Sequence, residues 1–202
     1  WQDCWAGWGT MPATWQQATA DARRFAQFSA KLTGRLYIGV DRENPLETGI
    51  TVQHAWGMPM IPGSALKGLA RQVAREQFKG KEAFVGWLFG AETEAAEAEA
   101  GAVTFHDAWW DPQDGKLQPF VAEVVTPHHR EYYQDGGKPA TDFDSPAPAP
   151  QIAAQGGFLF VIEGAPEWTA VARKLLEAGL RERGIGGKRS SGYGYFDFGD
   201  HA

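Results

Sequence analysis

Gly184-Ile185-Gly186-Gly187-Lys188-Arg189-Ser190-Ser191-Gly192-Tyr193-Gly194-Tyr195-Phe196 is the stretch on which the fold of this chain turns. Five glycines bracket a Lys-Arg-Ser-Ser core. Residues 167–183 ahead of it carry a helical apolar period, and an alternating aromatic run follows from Gly192 to Phe198. The local order is therefore helix, loop, strand. Glycine admits sharp turns and close backbone approach, and successive free N–H groups in such a turn form a concavity suited to anions. With Lys188, Arg189, Ser190 and Ser191 at its tip, the loop reads as a phosphate cradle shaped by Gly186, Gly187, Gly192 and Gly194. A P-loop would need Lys-Ser/Thr leading from a strand into a helix. A dinucleotide fingerprint would need its glycines after a strand and before a helix. Neither pattern is met.

Working outward, residues 157–162 are uniformly apolar and predict a buried strand. Val171, Leu175, Leu176 and Leu180 form the buried stripe of the helix over 167–183. Upstream, a Pro-Gly-Ser turn predicts a helix from Ser64, its N-cap, to about Phe78. Leu66, Leu69, Val73 and Phe78 would be its buried side, while Lys67, Arg71 and Arg75 share a face. A helix N-terminus attracts anions, so Ser64, Lys67 and Arg71 form a second candidate phosphate contact. Taken alone, the cationic row would equally suit a solvated surface.

Residues 32–40 alternate and predict a strand, and 81–89 a short helix. Residues 102–109 and 120–126 predict strands joined as a hairpin across the turn at 111–116. The Trp-rich segment 1–27 reads as an N-terminal extension, with a helix over 14–28 capped by Thr14. Residues 127–150 hold five prolines and read as a long excursion, and the alanine-glutamate stretch 91–100 as a solvated loop. The core order is strand, helix, strand, strand, helix, strand. That is the split βαβ, ferredoxin-like α+β arrangement with loop insertions, which RNA-recognition modules also use.

The 202 residues suit a single domain, and 43% hydrophobic residues suit a globular core. No apolar run is long enough to span a membrane, and no leader peptide is expected; the start at Trp1 reads as a trimmed N-terminus. The single cysteine, Cys4, cannot form an internal disulfide, which suits a reducing cytoplasm. Net charge is −6, yet residues 62–81 carry five bases and one acid, and residues 164–196 six bases and three acids. A local basic footprint, rather than the global sign, is what phosphate binding requires.

These residues resemble the RAMP proteins of CRISPR systems. Their hallmark is a glycine-rich loop before the last strand of a ferredoxin-like unit, met here by Gly184–Gly194. The segment from Gly57 to Arg71, with Ile61-Pro62-Gly63-Ser64 at its centre, and Leu46-Glu47-Thr48-Gly49 also match, as do Leu88-Phe89-Gly90 and Phe105-His106-Asp107-Ala108. The stretch Thr126-Pro127-His128-His129-Arg130-Glu131-Tyr132-Tyr133 is similar more narrowly to the sixth subunit of type III-B Cmr effector complexes. The resemblance runs from about Leu32 onward. It implies a non-catalytic backbone subunit without a cofactor. Such a subunit would hold CRISPR guide RNA toward its 3′ end, help form the groove in which target RNA pairs, and sit beside other Cmr subunits. It also implies a projecting thumb, for which residues 127–151 are the candidate.

Two other readings remain open on sequence alone. One is an endoribonuclease: related backbone subunits cut target RNA with an acid after the first strand, near Asp41, and His54 is a candidate general base. For His128 and His129 a loop-anchoring role is the plainer reading, and no Cys or His cluster completes a zinc site. The other is an assembly subunit whose basic face meets an acidic neighbour.

Overall fold

The computed structural model describes residues 11–39, 49–91, 99–112, 118–125 and 148–199. The apolar run at 157–162 decides the architecture. It extends to Gly164 as β7 (Gly157–Gly164) and forms the middle of a sheet of six described strands. A strand buried on both faces needs partners on both edges and cover on both sides. β7 pairs antiparallel with β1 (Phe25–Leu32) on one edge and with β3 (Val103–Phe105) and β4 (Ala108–Asp111) on the other. The order across the sheet is β2-β4-β7-β1-β8, where β2 is Met60–Ile61 and β8 is Phe196–Asp197. β1 and β4 each run antiparallel to β7, so they are parallel to one another. β7 and β8 are likewise parallel, each antiparallel to β1.

Parallel strands require crossovers. The first passes through α2 (Gly63–Gln77) and α3 (Glu82–Phe89), the second through α4 (Pro166–Glu182). α2 buries Leu66, Leu69, Ala70, Val73 and Ala74, and α4 buries Ala172, Leu175, Leu176 and Leu180, all in one core with Phe28, Phe158, Phe160 and Trp110. The two helices approach closely because Gly179 has no Cβ: one there would stand 2.7 Å from Leu69. Phe28 lies opposite Phe160 in register and the rings stack at 5.0 Å. Buried Trp110 donates its indole N–H to the Gln155 carbonyl at 2.7 Å. Trp109 points to the other face, where Trp15 of α1 (Met11–Ala18) stacks on it at 5.4 Å.

The α+β class expected from the sequence is observed, with several corrections. The first strand is Phe25–Leu32 and ends where the expected one begins. The period-two burial of Phe28, Ala30 and Leu32 outweighs the helical pattern of the alanines before it. Helix α1 accordingly stops at Ala18, and the boundary expected at residue 27 falls inside β1. Leu36 and Tyr37 make only isolated bridges, to Ala154 and Gly187. β5 (Phe120–Val125) does not pair with β4. It forms a separate two-stranded ribbon with β6 (Ala149–Ala154), reaching into the region read as an excursion. Residues 126–147 lie outside the described residues. The last strand is shortened to Phe196–Asp197, because Gly192 and Gly194 take left-handed backbone that interrupts an extended strand. Finally, α2 starts at Gly63 with no side-chain cap from Ser64. The Asp107 carboxylate, from the bend between β3 and β4, accepts the Gly63 N–H at 2.7 Å instead.

Candidate nucleic-acid interface

The glycine-rich loop is anchored at its base and open at its tip. The base is closed by backbone hydrogen bonds from Ile185 N–H to the Gly194 carbonyl (2.9 Å), Gly187 N–H to Tyr37 (2.8 Å) and Gly194 N–H to Arg35 (2.7 Å). Gly186 (φ 83°) and Gly194 (φ 79°) occupy left-handed backbone, where a Cβ would lie 2.1 Å from the Tyr37 oxygen and 1.9 Å from the Ile185 oxygen. No other residue fits either position. Gly187 sits in the same strip without a positive φ.

At the tip, Lys188 is itself left-handed (φ 56°), and Arg189, Ser190 and Ser191 form the 3₁₀ turn that Gly192 ends. Ser191 and Gly192 donate back to Lys188 and Arg189. The N–H groups of Lys188, Arg189 and Ser190 have no acceptor among the described residues. A left-handed residue followed by right-handed ones turns successive N–H groups to one side, the geometry of an anion nest. All five side chains or backbones from Lys188 to Gly192 are exposed.

Beneath the tip lies a cluster the sequence did not reveal. The Lys188 ammonium sits over the Tyr37 ring, 5.0 Å from its centroid. The Tyr37 hydroxyl donates to Glu123 at 2.6 Å, Arg35 pairs with the same carboxylate at 3.3 Å, and Arg35 also bonds Gln155. Tyr193 packs on Tyr37 at 4.8 Å. Burial, then the bond to Glu123, hold the Tyr37 phenol far above its ordinary range, so it is a neutral donor. Burial lowers the Lys188 ammonium from its usual value, and the nearby Glu123 charge opposes that. Glu123 arrives through the β5–β6 pairing, a non-local register with no local signal.

The second candidate contact divides in two. Ser64 shares a cavity of about 420 Å³ with Gly186, Thr51, Ile38 and Gly39, so the start of α2 and the base of the loop face one space. Lys67 and Arg71 continue from Ser64 along α2 but turn toward α3. The Lys67 ammonium lies 3.7 Å from where a Cβ of Gly90 would stand. Arg71 lines a cavity of about 460 Å³ between α2 and α3, together with Arg75. Lys67, Arg71, Arg75, Lys188 and Arg189 form no ion pair among the described residues. Arg24, Arg35, Arg173 and Arg183 each hold a carboxylate.

Of the candidate catalytic groups, Asp41, His128 and His129 lie outside the described residues. His54 is exposed in a turn closed by Gly57 N–H to the Gln53 carbonyl. Among the described residues no group of three or more His, Cys, Asp or Glu side chains could hold a metal ion. No helix among them is long and apolar enough to cross a membrane.

Comparison with known proteins adds an independent line. The profile of the RAMP superfamily matches residues 29–197. The CRISPR system Cmr subunit Cmr6 of Pyrococcus furiosus is 25% identical, over 81% of this chain and 65% of that protein. The chain superposes on a chain in the cryo-EM structure of type III-B Cmr-beta bound to cognate target RNA, with a TM-score of 0.69 and 22% identity. That match covers 93% of this chain and 63% of the other. The crystal structure of Cmr6 from Pyrococcus furiosus matches with a TM-score of 0.54 and 24% identity, covering 85% of this chain and 97% of that one. The chain thus spans just under two thirds of the length of two of these relatives.

Proposed function

The chain belongs to the RAMP superfamily, and from that premise we propose that it is a non-catalytic RNA-binding backbone subunit of a type III-B CRISPR effector of the Cmr kind. Its sheet order, with two parallel crossovers through α2–α3 and α4, supports reading the fold as a ferredoxin-like split βαβ. In this reading the chain holds guide RNA toward its 3′ end, borders the groove where target RNA pairs, and packs beside other Cmr subunits. Likeness to the Pyrococcus furiosus Cmr6 supports the assignment. The observation that carries the RNA contact is the convergence of two features on one space: Ser64 at the start of α2 and Gly186 at the base of a loop whose cations form no ion pair among the described residues.

The chemistry follows from these parts. Phosphate oxygens accept from the free N–H groups of the tip and from the Ser190 and Ser191 hydroxyls, while Lys188 and Arg189 neutralise charge. Lys67 and Arg71 extend the track along α2. Such contacts fix register and carry no sequence information, which base pairing supplies. Glu123, the carboxylate beneath the loop, is held by Tyr37 and Arg35 and serves as an anchor rather than a base.

The test is the salt dependence of RNA binding by the full chain and by its Lys188→Ala/Arg189→Ala variant. Each phosphate contact to a single strand contributes about −0.7 to the slope of log affinity against log salt, so the double variant should flatten it by about 1.4. Parallel slopes for the two proteins would remove the loop from the RNA contact. For the non-catalytic part, assembled complex carrying Asp41→Ala or His54→Ala should leave the cleavage pattern of labelled target RNA unchanged; loss of cutting in either would make this subunit an enzyme.

A further inference from the structure

The cleft between α2 and α3 is furnished beyond what a simple phosphate contact needs, and we propose that it is a pocket for a single ribonucleotide unit. The inference builds on the RNA-binding reading only at Arg71. It adds Arg75, Phe78 and Glu82.

Five observations meet there. The cavity is about 460 Å³, within the range of about 300–1,000 Å³ typical of small-ligand sites. The Arg71 Nε is buried and has no hydrogen-bond partner among the described residues, a state that folded proteins rarely leave without a ligand, ion or water to explain it. Arg75 lies one turn further along α2 on the same polar face, which Ser64 and Lys67 share within a sector of about 80°. The facing wall is apolar and fixed: Val85 and Gly86 belong to α3, and Phe78 is held edge-on against Phe84 at 5.2 Å. Glu82 completes the rim, where one of its oxygens accepts the Gly80 N–H at 3.3 Å.

These groups match the parts of a nucleotide. Two guanidinium groups suit the phosphate, since arginine presents paired donors in a planar fork. The Phe78 ring and the aliphatic wall suit the base. The second oxygen of Glu82, which has no partner among the described residues, can accept from an exocyclic amino group, as carboxylates do with cytosine. A lone carboxylate from a partner protein would use the arginines and leave Phe78 and Glu82 without a role. The occupant is either a nucleotide of the bound strand or a free ribonucleotide, and both offer the same chemistry.

The full chain would be titrated with CMP, AMP and UMP, and separately with short cytidine-only and uridine-only RNAs, by calorimetry. Arg75→Ala, on an exposed helix position, and Arg71→Met, which keeps side-chain bulk, should each weaken binding by about tenfold. Ligands with an exocyclic amine should bind better than the uridine ones, and Glu82→Gln should erase that preference. If the mononucleotides show these effects, the pocket accepts free nucleotide; if only the RNAs do, the occupant is a residue of the strand. The inference is overturned if Arg75→Ala and Arg71→Met leave every ligand unaffected, including the case where they release an assembly partner instead. It is also overturned if cytidine and uridine ligands bind alike. Lys188→Ala/Arg189→Ala should leave mononucleotide binding intact, so failure of the loop reading and failure of the pocket are separable.

Discussion

Replacing Gly194 with alanine probes how the loop is built, and Gly192→Ala is its internal control. Both glycines are left-handed, at φ 79° and 86°. An L-residue there costs about 1–2 kcal/mol from backbone strain alone. At Gly192 a Cβ meets nothing within 4 Å, so strain is the whole effect. At Gly194 the Cβ would stand 1.9 Å from the Ile185 carbonyl oxygen, a backbone atom that cannot rotate away. Relieving that overlap separates the strips joined by Ile185 N–H to Gly194 (2.9 Å) and Gly194 N–H to Arg35 (2.7 Å). Two such bonds add about 1–3 kcal/mol, giving roughly 2–5 kcal/mol in total for Gly194→Ala. Domains of this kind have about 5–15 kcal/mol of stability, so the variant should fold but unfold early. Urea denaturation followed by circular dichroism would read it. With a slope of about 2–3 kcal/mol per molar, the midpoint should fall by about 0.7–2.5 M for Gly194→Ala and by a smaller amount, under about 1 M, for Gly192→Ala. Equal shifts would mean that the base of the loop is not closed against residues 35–37, and the reasoning would be wrong.

Three further outcomes are expected. Asp107→Ala should destabilise the fold by about 1 kcal/mol through loss of the α2 cap, while Ser64→Ala, which makes no cap bond, should leave the same melting curve in place. Glu163 is held below the ordinary carboxylate value, first by its hydrogen bond from Arg24 and also by His106. A carboxylate lowered in the fold stabilises above its unfolded value, near 4.5, and that contribution is lost as pH falls below it. Wild type should therefore lose more stability than Glu163→Gln between pH 6 and 3, and identical pH profiles would refute the pairing. Glu123→Gln keeps a partner for Tyr37 but removes one negative charge beneath Lys188. RNA affinity should rise by about twofold to fivefold at low salt, from roughly 0.5–1 kcal/mol of relieved repulsion, as read by fluorescence anisotropy.

What the sequence disclosed and what it withheld divide along local and non-local lines. β7, α2, α3 and α4 were legible because each carries its own period: a solid apolar run, or apolar residues three and four apart. The loop was legible because no other residue replaces glycine at Gly186 and Gly194. The cap of α2 was not, since its donor and acceptor are 44 residues apart and Ser64 offered a nearer answer. The partner of β5 was hidden for the same reason. A turn signal at 111–116 suggested β4, whereas six consecutive residues from Phe120 to Val125 pair with Ala149–Ala154. Glu123 follows from that pairing, whereas Lys188 stands over Tyr37 through the non-local bridge between Tyr37 and Gly187. The direction of Arg71 likewise depends on how α3 folds back on α2, which no helical wheel records.

In the proposed function a chain of net charge −6 holds a polyanion, which requires that its cations be not equivalent. Arg24, Arg35, Arg173 and Arg183 sit 2.6–3.3 Å from carboxylates or closer, and each such pair is nearly neutral beyond a Debye length of about 8 Å. These exposed pairs add little stability; their effect is to withdraw positive charge from the far field. Lys67, Arg71, Arg75, Lys188 and Arg189, unpaired among the described residues, therefore set the local potential. Three of them stand in a row on α2 and two at the tip of the loop, while Ser64 and Gly186 line a cavity between the start of α2 and the base of the loop. Net charge is a sum over groups whose fields cancel in pairs, so it has little bearing on what binds at this face. Which arginines already have partners decides it.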